Sequence, residues 1–119
     1  MKRILLADDS AVIRTTLRGL FEESGWTCSE AENGEDAVAK AQEFRPHVIV
    51  LDLAMPVMNG IAAASALKTV LPPIPVIVFT SFGSILNSED LRRAGISAMI
   101  GKDDAAKLLS TAQTLFDHS

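Results

Sequence analysis

The sequence predicts an α/β domain in which a parallel β-sheet is covered by helices on both faces. Short apolar runs alternate with segments whose apolar residues recur at helical spacing, which is typical of repeated strand–helix units. The apolar runs are continuous, as expected of strands that are buried on both faces. Five such units fit into 119 residues, the length of one domain.

Five segments are predicted to form the strands. Four are apolar runs, at residues 4–7, 48–51, 76–79 and 98–100. The segment 26–31 is more polar, so we expect this strand to lie nearer an edge of the sheet.

Helices are predicted in the intervals between the strands. Apolar stripes at helical spacing occupy residues 13–21, 37–44, 61–71 and 108–116, the third being weaker, while 84–94 gives the least clear helix. Gly25 and Gly95 stand where glycine commonly ends a helix. Asn33 is placed to cap the second helix, and Asp9 or Ser10 could cap the first.

Composition indicates a globular protein without a disulfide framework. Apolar residues make up 48% and charged residues 22%, which excludes a disordered or collagen-like chain. Cys28 is the only cysteine and suits a reducing compartment. The net charge of −4 argues against direct binding to nucleic acid or an anionic membrane. With no stretch that resembles a signal peptide or a membrane span, we expect a cytoplasmic location.

Polar side chains follow the ends of four predicted strands. In chain order these are Asp8 and Asp9, then Asp52, then Thr80 and Ser81, and finally Lys102. Taken singly, each has an ordinary explanation, since an Asp often caps a helix, a Thr caps a turn and a Lys is solvated. The carboxyl ends of parallel strands meet at one edge of the sheet, however, and their joint arrival there favours a functional site.

The residue types at this edge restrict the chemistry. Three neighbouring carboxylates repel one another, and at least one stays protonated without compensation. A hard divalent cation such as Mg2+ relieves that repulsion and often also binds a phosphoryl oxygen. The ammonium of Lys102 and the hydroxyl of Thr80 suit the same phosphoryl group. The pattern therefore predicts a phosphoryl site whose natural nucleophile is a carboxylate, giving an acyl phosphate.

The chain resembles a response-regulator receiver domain of two-component signalling, similar to the chemotaxis regulators, over its whole length. The strongest piece is residues 52–60, Asp-Leu-Ala-Met-Pro-Val-Met-Asn-Gly, joined by the residues at the other strand ends in the family's order. The resemblance implies a flavodoxin-like sheet with strand order 2-1-3-4-5. It also implies one receiver domain over residues 1–119, with no output domain in this chain.

The resemblance implies that Asp52 is the phosphoacceptor. A histidine kinase or a phosphotransfer protein would donate the phosphoryl group from a phosphohistidine. Asp9, Asp52 and the backbone carbonyl of Ala54 would ligate Mg2+ or Mn2+, and Asp8 would act through a metal-bound water.

The resemblance also assigns roles around the phosphoryl group. Lys102 would pair with it, Thr80 would donate a hydrogen bond to it, and the backbone amides of Ala54 and Ser81 would add donors. Thr80 would carry the conformational switch together with Met99. The family usually has Tyr or Phe at that position, and this chain has no Tyr. An aromatic switch contact is therefore not available, although Met can fill a similar pocket.

A partner surface is implied on the fourth helix, fifth strand and fifth helix, with Leu91, Arg92 and Met99 among its residues. It would bind an output domain or a downstream protein, or form a homodimer.

Two further departures from the family pattern concern neighbours of the site. Asp103 stands where the family often has Pro, so we expect a trans peptide before it. Ala54 and Phe82, at positions that tune water access, are both apolar.

Three alternatives stay open at this point. A phosphoaspartate hydrolase of the haloacid dehalogenase type needs a second Asp two residues after the nucleophile, where this chain has Ala54. A flavin-binding module needs a Ser/Thr-rich loop after the first strand, which here begins Asp8-Asp9. The third alternative is a receiver that only docks other proteins, and it stays open because Met99 replaces the usual Tyr or Phe. We expect no enzyme beyond self-phosphorylation and autodephosphorylation.

Overall fold

The structure alternates strands and helices along the chain. A computed structural model describes residues 1–52, 60–70, 74–81 and 88–118. The elements are β1 (Lys2–Ala7), α1 (Ala11–Glu23), β2 (Trp26–Ala31), α2 (Gly34–Phe44), β3 (Val48–Leu51), α3 (Gly60–Val70), β4 (Val76–Thr80), α4 (Ser88–Arg93), β5 (Ile96–Gly101) and α5 (Ala105–Asp117).

The five strands form one parallel sheet in the order β2-β1-β3-β4-β5. This confirms the predicted fold class and the flavodoxin-like strand order. β2, the most polar strand, lies at an edge as expected. From β1 the chain first adds β2 on one side and then adds β3, β4 and β5 on the other side. The direction in which strands are added therefore reverses between β1 and β3. Ligand sites in such sheets lie beyond the carboxyl ends of the strands at this reversal.

The two faces of β1 belong to two separate apolar cores. Leu5 and Ala7 pack with residues of α2 and α3, such as Ala41 and Leu67. Ile4 and Leu6 pack on the other face with residues of α1 and α5, such as Phe21 and Leu108. Because both faces of the strand are buried, β1 is held firmly between the two cores.

Local signals fix several helix ends as the sequence predicts. Ser10, rather than Asp9, caps α1, since its Oγ accepts a hydrogen bond from the Ile13 amide at 3.3 Å. Asn33 Oδ1 accepts from the Asp36 amide at 2.8 Å and caps α2. Gly25 and Gly95 have φ of 89° and 79°, the left-handed region that favours glycine.

Two strands begin earlier than their apolar runs. β1 begins at Lys2 and β5 at Ile96, because backbone pairing with the neighbouring strands continues beyond the runs at 4–7 and 98–100. α4 is described over Ser88–Arg93, whereas the sequence predicts a helix over 84–94, and residues 84–87 of that prediction lie outside the described residues. Among the described helices, none is long and apolar enough to cross a membrane.

Candidate functional site

The predicted site residues converge at the carboxyl edge of the sheet. Asp8, Asp52 and Lys102 each follow directly on a strand, and Thr80 is the last residue of β4. The backbone amides of Asp8, Asp52 and Lys102 donate to carbonyls of the neighbouring strands at 3.1, 3.0 and 3.2 Å. These hydrogen bonds extend the sheet by one residue, so the backbone beneath each functional side chain is held by the sheet itself.

Three carboxylates form a compact acidic cluster. One oxygen from each of Asp8, Asp9 and Asp52 lies within 4.8 Å of the other two. Asp8 and Asp52 are only 3% and 4% exposed, while Asp9 faces solvent. Carboxylate oxygens at this spacing, with one side open to water, fit a hard divalent cation that retains several water ligands. The donor set therefore suits Mg2+ or Mn2+.

The ammonium of Lys102 lies between two of these carboxylates. Its Nζ is 3.0 Å from Asp8 Oδ2 and 3.1 Å from Asp52 Oδ2. Burial of the ammonium opposes its charge, but the hydrogen bonds with Asp8 and Asp52 outweigh burial and raise the pKa of Lys102. Burial raises the pKa of Asp8, helped by the nearby Asp52 charge and opposed by hydrogen bonds from the Ser10 amide and Lys102. One cation thus offsets part of the repulsion in the cluster.

Arg14 supports the segment that carries Asp8 and Asp9, a role that sequence reasoning missed. Its Nη1 donates to the Asp8 carbonyl oxygen at 2.6 Å, and its Nε contacts Glu30 Oε1 at 3.1 Å. Glu30 also pairs with Arg18 at 2.9 Å. Glu30 is half-buried as well as ion-paired, whereas an isolated Glu is usually solvated. No short-range pattern relates Glu30 to Arg14, since the pairing depends on how α1 packs against β2.

A cleft opens beside Lys102, between the ends of β4 and β5. It has a volume of about 430 Å3 and is lined by Thr80, Ser81, Met99, Ile100, Gly101, Lys102 and Asp103. Thr80 is 2% exposed, and Met99 is half-buried and packs against the core of the α2/α3 face. The predicted switch residues are therefore neighbours. The peptide bond between Lys102 and Asp103 is trans, as expected.

The remaining predicted residues are only partly described. Arg92 is exposed on α4, which packs against β5. Leu91 lies in the same helix, but its side chain is outside the described set, as are Ala54 and Phe82. Serine 81 is described and exposed beside the cleft.

Trp26, His47 and Cys28 lie away from the site. Trp26 begins β2 at the opposite, amino edge, in edge-to-face contact with Phe21 and Phe116. His47 Nδ1 accepts a hydrogen bond from the Arg3 amide at 3.0 Å. Cys28 is buried, and loss of solvation raises the pKa of its thiol to about 11. None of these groups reaches the acidic cluster.

The fold and the site together define a class, the doubly wound α/β domains that carry an acidic, lysine-containing centre at the strand ends. Residues 4–113 match the response regulator receiver domain family. The chain belongs to that family, which is a family of signalling modules.

Individual relatives agree with this assignment. The chemotaxis protein CheY of Halobacterium salinarum is 36% identical over 101 residues, covering 85% of this chain and 84% of that protein. The CheX-CheY-BeF3-Mg+2 complex from Borrelia burgdorferi includes a chain with a TM-score of 0.89 and 28% identity, covering 97% of this chain and 89% of that one.

A second kind of relative is much longer than the matched region. The protein-glutamate methylesterase/protein-glutamine glutaminase of Methanococcoides burtonii is 40% identical over 102 residues, which are 81% of this chain but only 28% of that protein. The match therefore concerns the receiver portion, and the activity in that protein's name is not carried over.

Proposed function

We propose that Asp52 is the phosphoacceptor of this receiver domain. The observation that carries the proposal is the position of its buried carboxylate, which is in contact with Lys102 Nζ at 3.1 Å and lies within 4.8 Å of oxygens of Asp8 and Asp9. Thr80, at the end of the next strand, borders the cleft beside Lys102. A carboxylate nucleophile, an ammonium and a hydroxyl around one point suit phosphoryl transfer.

In the proposed step, an oxygen of Asp52 attacks the phosphorus atom of a donor. A new O–P bond forms while the bond between phosphorus and the donor's nitrogen or oxygen breaks, and the leaving group keeps the electron pair and is then protonated. Lys102 stabilises charge on the phosphoryl oxygens, Thr80 donates a hydrogen bond to one of them, and the backbone amides of Ser81 and Ala54 add donors. Water then hydrolyses the acyl phosphate, which removes the phosphoryl group from Asp52.

A divalent cation fits the acidic cluster, and when bound it neutralises carboxylate and phosphoryl charge. Asp9, Asp52 and the Ala54 carbonyl would hold it directly, and Asp8 through water. The presence of Mg2+ in the named Borrelia burgdorferi complex supports the choice of metal. The buried pair Asp8 and Asp52 could not both stay charged beside a phosphoryl group with Lys102 alone.

We further propose a phosphodonor and a set of partners for this domain. A histidine kinase or phosphotransfer protein supplies the phosphoryl group in the cytoplasm. Thr80 and Met99 then change the surface of α4, β5 and α5, on which Leu91 and Arg92 stand, and shift its affinity for an output domain, a downstream protein or a second copy. The chain is one receiver domain over residues 1–119 and acts as a phosphoacceptor rather than on a separate substrate.

The test is the intact mass after incubation with acetyl phosphate and Mg2+. One added phosphoryl group is expected in the wild type and none in Asp52→Asn or with EDTA. Circular dichroism shows whether Asp52→Asn is folded. An adduct that persists in folded Asp52→Asn would refute the assignment of Asp52. Failure of the wild type to bind Mg2+ would refute the proposed site.

A further inference from the structure

The residue after Lys102 carries a carboxylate that the site does not use. Within the described part of the chain, Asp103 makes no hydrogen bond or ion pair, and it is exposed. Its neighbour Asp104 is different, because the Asp104 side chain accepts from the Lys107 amide at 3.0 Å and caps α5. Asp103 has no such structural task among the described contacts.

The Asp103 side chain is directed along the cleft rather than away from it. A Cβ atom at position 101 would lie only 2.6 Å from Asp103 Oδ1, so the carboxylate lies against the space that Gly101 leaves open. Asp103 lines the same cleft as Lys102 and Thr80, the two side chains proposed to contact the phosphoryl group. Its charge is therefore at the rim of the phosphoryl site.

Lys102 does not neutralise this charge. The ammonium contacts Asp8 at 3.0 Å and Asp52 at 3.1 Å, and among the described contacts it makes none with Asp103. With a divalent cation in place, the three carboxylates of the cluster and Lys102 would balance to zero. Asp103 then leaves the rim with one net negative charge, which repels an approaching anion.

We propose that Asp103 is a specificity-determining residue that selects phosphodonors by charge. This inference rests on the proposed phosphorylation of Asp52. Asp103 disfavours small donors that carry two negative charges, such as acetyl phosphate, more than small donors that carry one, such as phosphoramidate. A protein donor that presents its phosphoryl group beside basic side chains is not disfavoured, because those side chains offset the Asp103 charge.

The experiment compares the two small donors on three proteins at neutral pH with saturating Mg2+. Wild type, Asp103→Asn and the control Glu43→Gln are phosphorylated, and rate constants are measured by intact mass. Glu43 is exposed on α2 and is not among the residues that line the cleft, so its replacement makes the same charge change elsewhere. Asp103→Ser also removes the charge, and it shows whether an effect of Asp103→Asn comes from the new side-chain amide instead of the lost charge.

At a separation on the order of 8 Å in water, Asp103→Asn is expected to speed phosphorylation by acetyl phosphate about sixfold and by phosphoramidate about 2.5-fold at low salt. At about 1 M salt, where screening acts within roughly 3 Å, both ratios fall toward one. Glu43→Gln changes neither rate appreciably.

The outcomes separate the two proposals. If wild type, Asp103→Asn and Asp103→Ser accept acetyl phosphate at equal rates at low salt, Asp103 does not select donors, and the phosphoacceptor function stands. If both donors are accelerated equally, or if the acceleration persists at high salt, the charge mechanism is wrong. If the folded wild type takes no phosphoryl group from either donor, the proposed function fails and the selection by Asp103 fails with it.

Discussion

Replacing Lys102 with Met should destabilise the protein mainly when no divalent cation is present. The substitution keeps the length of the side chain but removes the ammonium that lies 3.0 Å from Asp8 and 3.1 Å from Asp52. Both carboxylates have side chains that are 5% exposed, so water cannot easily take over the role of the ammonium. The two acids are then left together in a nearly dry site.

The size of the effect follows from the burial of the three groups. Removing one partner of a fully buried ion pair costs about 3–5 kcal/mol. Lys102 keeps 20% of its side chain exposed, and one of the two carboxyls can take up a proton, so we expect about 2 kcal/mol in EDTA. Saturating Mg2+ would supply positive charge to the same acidic cluster and should recover more than half of that loss.

Urea unfolding at neutral pH, with EDTA or with Mg2+, measures both quantities. Lys107→Met, an exposed lysine of α5, is the matched control and should stay within about 0.5 kcal/mol of wild type. The reasoning is refuted if Lys102→Met is as stable as wild type in EDTA, or if Mg2+ stabilises both proteins by the same amount.

The pH dependence has a definite sign. The pKa of Asp8 is raised in the folded protein, chiefly by burial, so the ionised carboxyl opposes folding at neutral pH. As pH falls through that raised pKa toward the ordinary value of 3.8, this penalty is removed. In EDTA, Asp8→Asn should therefore weaken the gain in stability seen on mild acidification. Urea midpoints at several pH values test this, and an unchanged pH profile would contradict it.

The remaining predictions concern supporting residues. Arg14→Ala should weaken Mg2+ binding several-fold in calorimetry, because the Arg14 guanidinium donates to the Asp8 carbonyl oxygen at 2.6 Å. Arg18 contacts Glu30 but not Asp8, so Arg18→Ala should change Mg2+ binding little. Ser10→Ala removes the cap of α1 and should lower the free energy of unfolding by about 1 kcal/mol. Trp26 fluorescence should not respond to Mg2+, because Trp26 begins β2 at the amino edge, opposite the acidic cluster; a large change would show that the edges are coupled. Cys28 should react with alkylating agents only on unfolding, since it is buried with a pKa of about 11.

The sequence predicts the sheet and the cluster because both depend on short-range patterns. Apolar runs identify strands, and the rule that parallel strands end at one edge then brings Asp8, Asp52 and Lys102 together without any knowledge of side-chain contacts. The roles of Asp52, Thr80 and the cation-binding groups come from the family resemblance and stay predictions.

What the sequence does not predict depends on register and on competition between contacts. Arg14 of α1 meets Glu30 of β2 because α1 packs beside β2, where Glu30 pairs opposite Leu6 of β1. Lys102 pairs with two acids that lie far away in the chain instead of with the adjacent Asp103. Local composition is the same in either case, so only the folded arrangement decides which carboxylate is left uncompensated.

The amide hydrogen bonds of Asp8, Asp52 and Lys102 link the site to the completion of folding. Each amide joins a strand to a different neighbour, β1 to β2, β3 to β1 and β5 to β4. A nascent chain that has not yet assembled these strand pairs does not bring the three carboxylates and Lys102 together. Under the proposed function, phosphorylation would therefore be confined to molecules in which β1 has paired with β2 and β3, and β5 with β4.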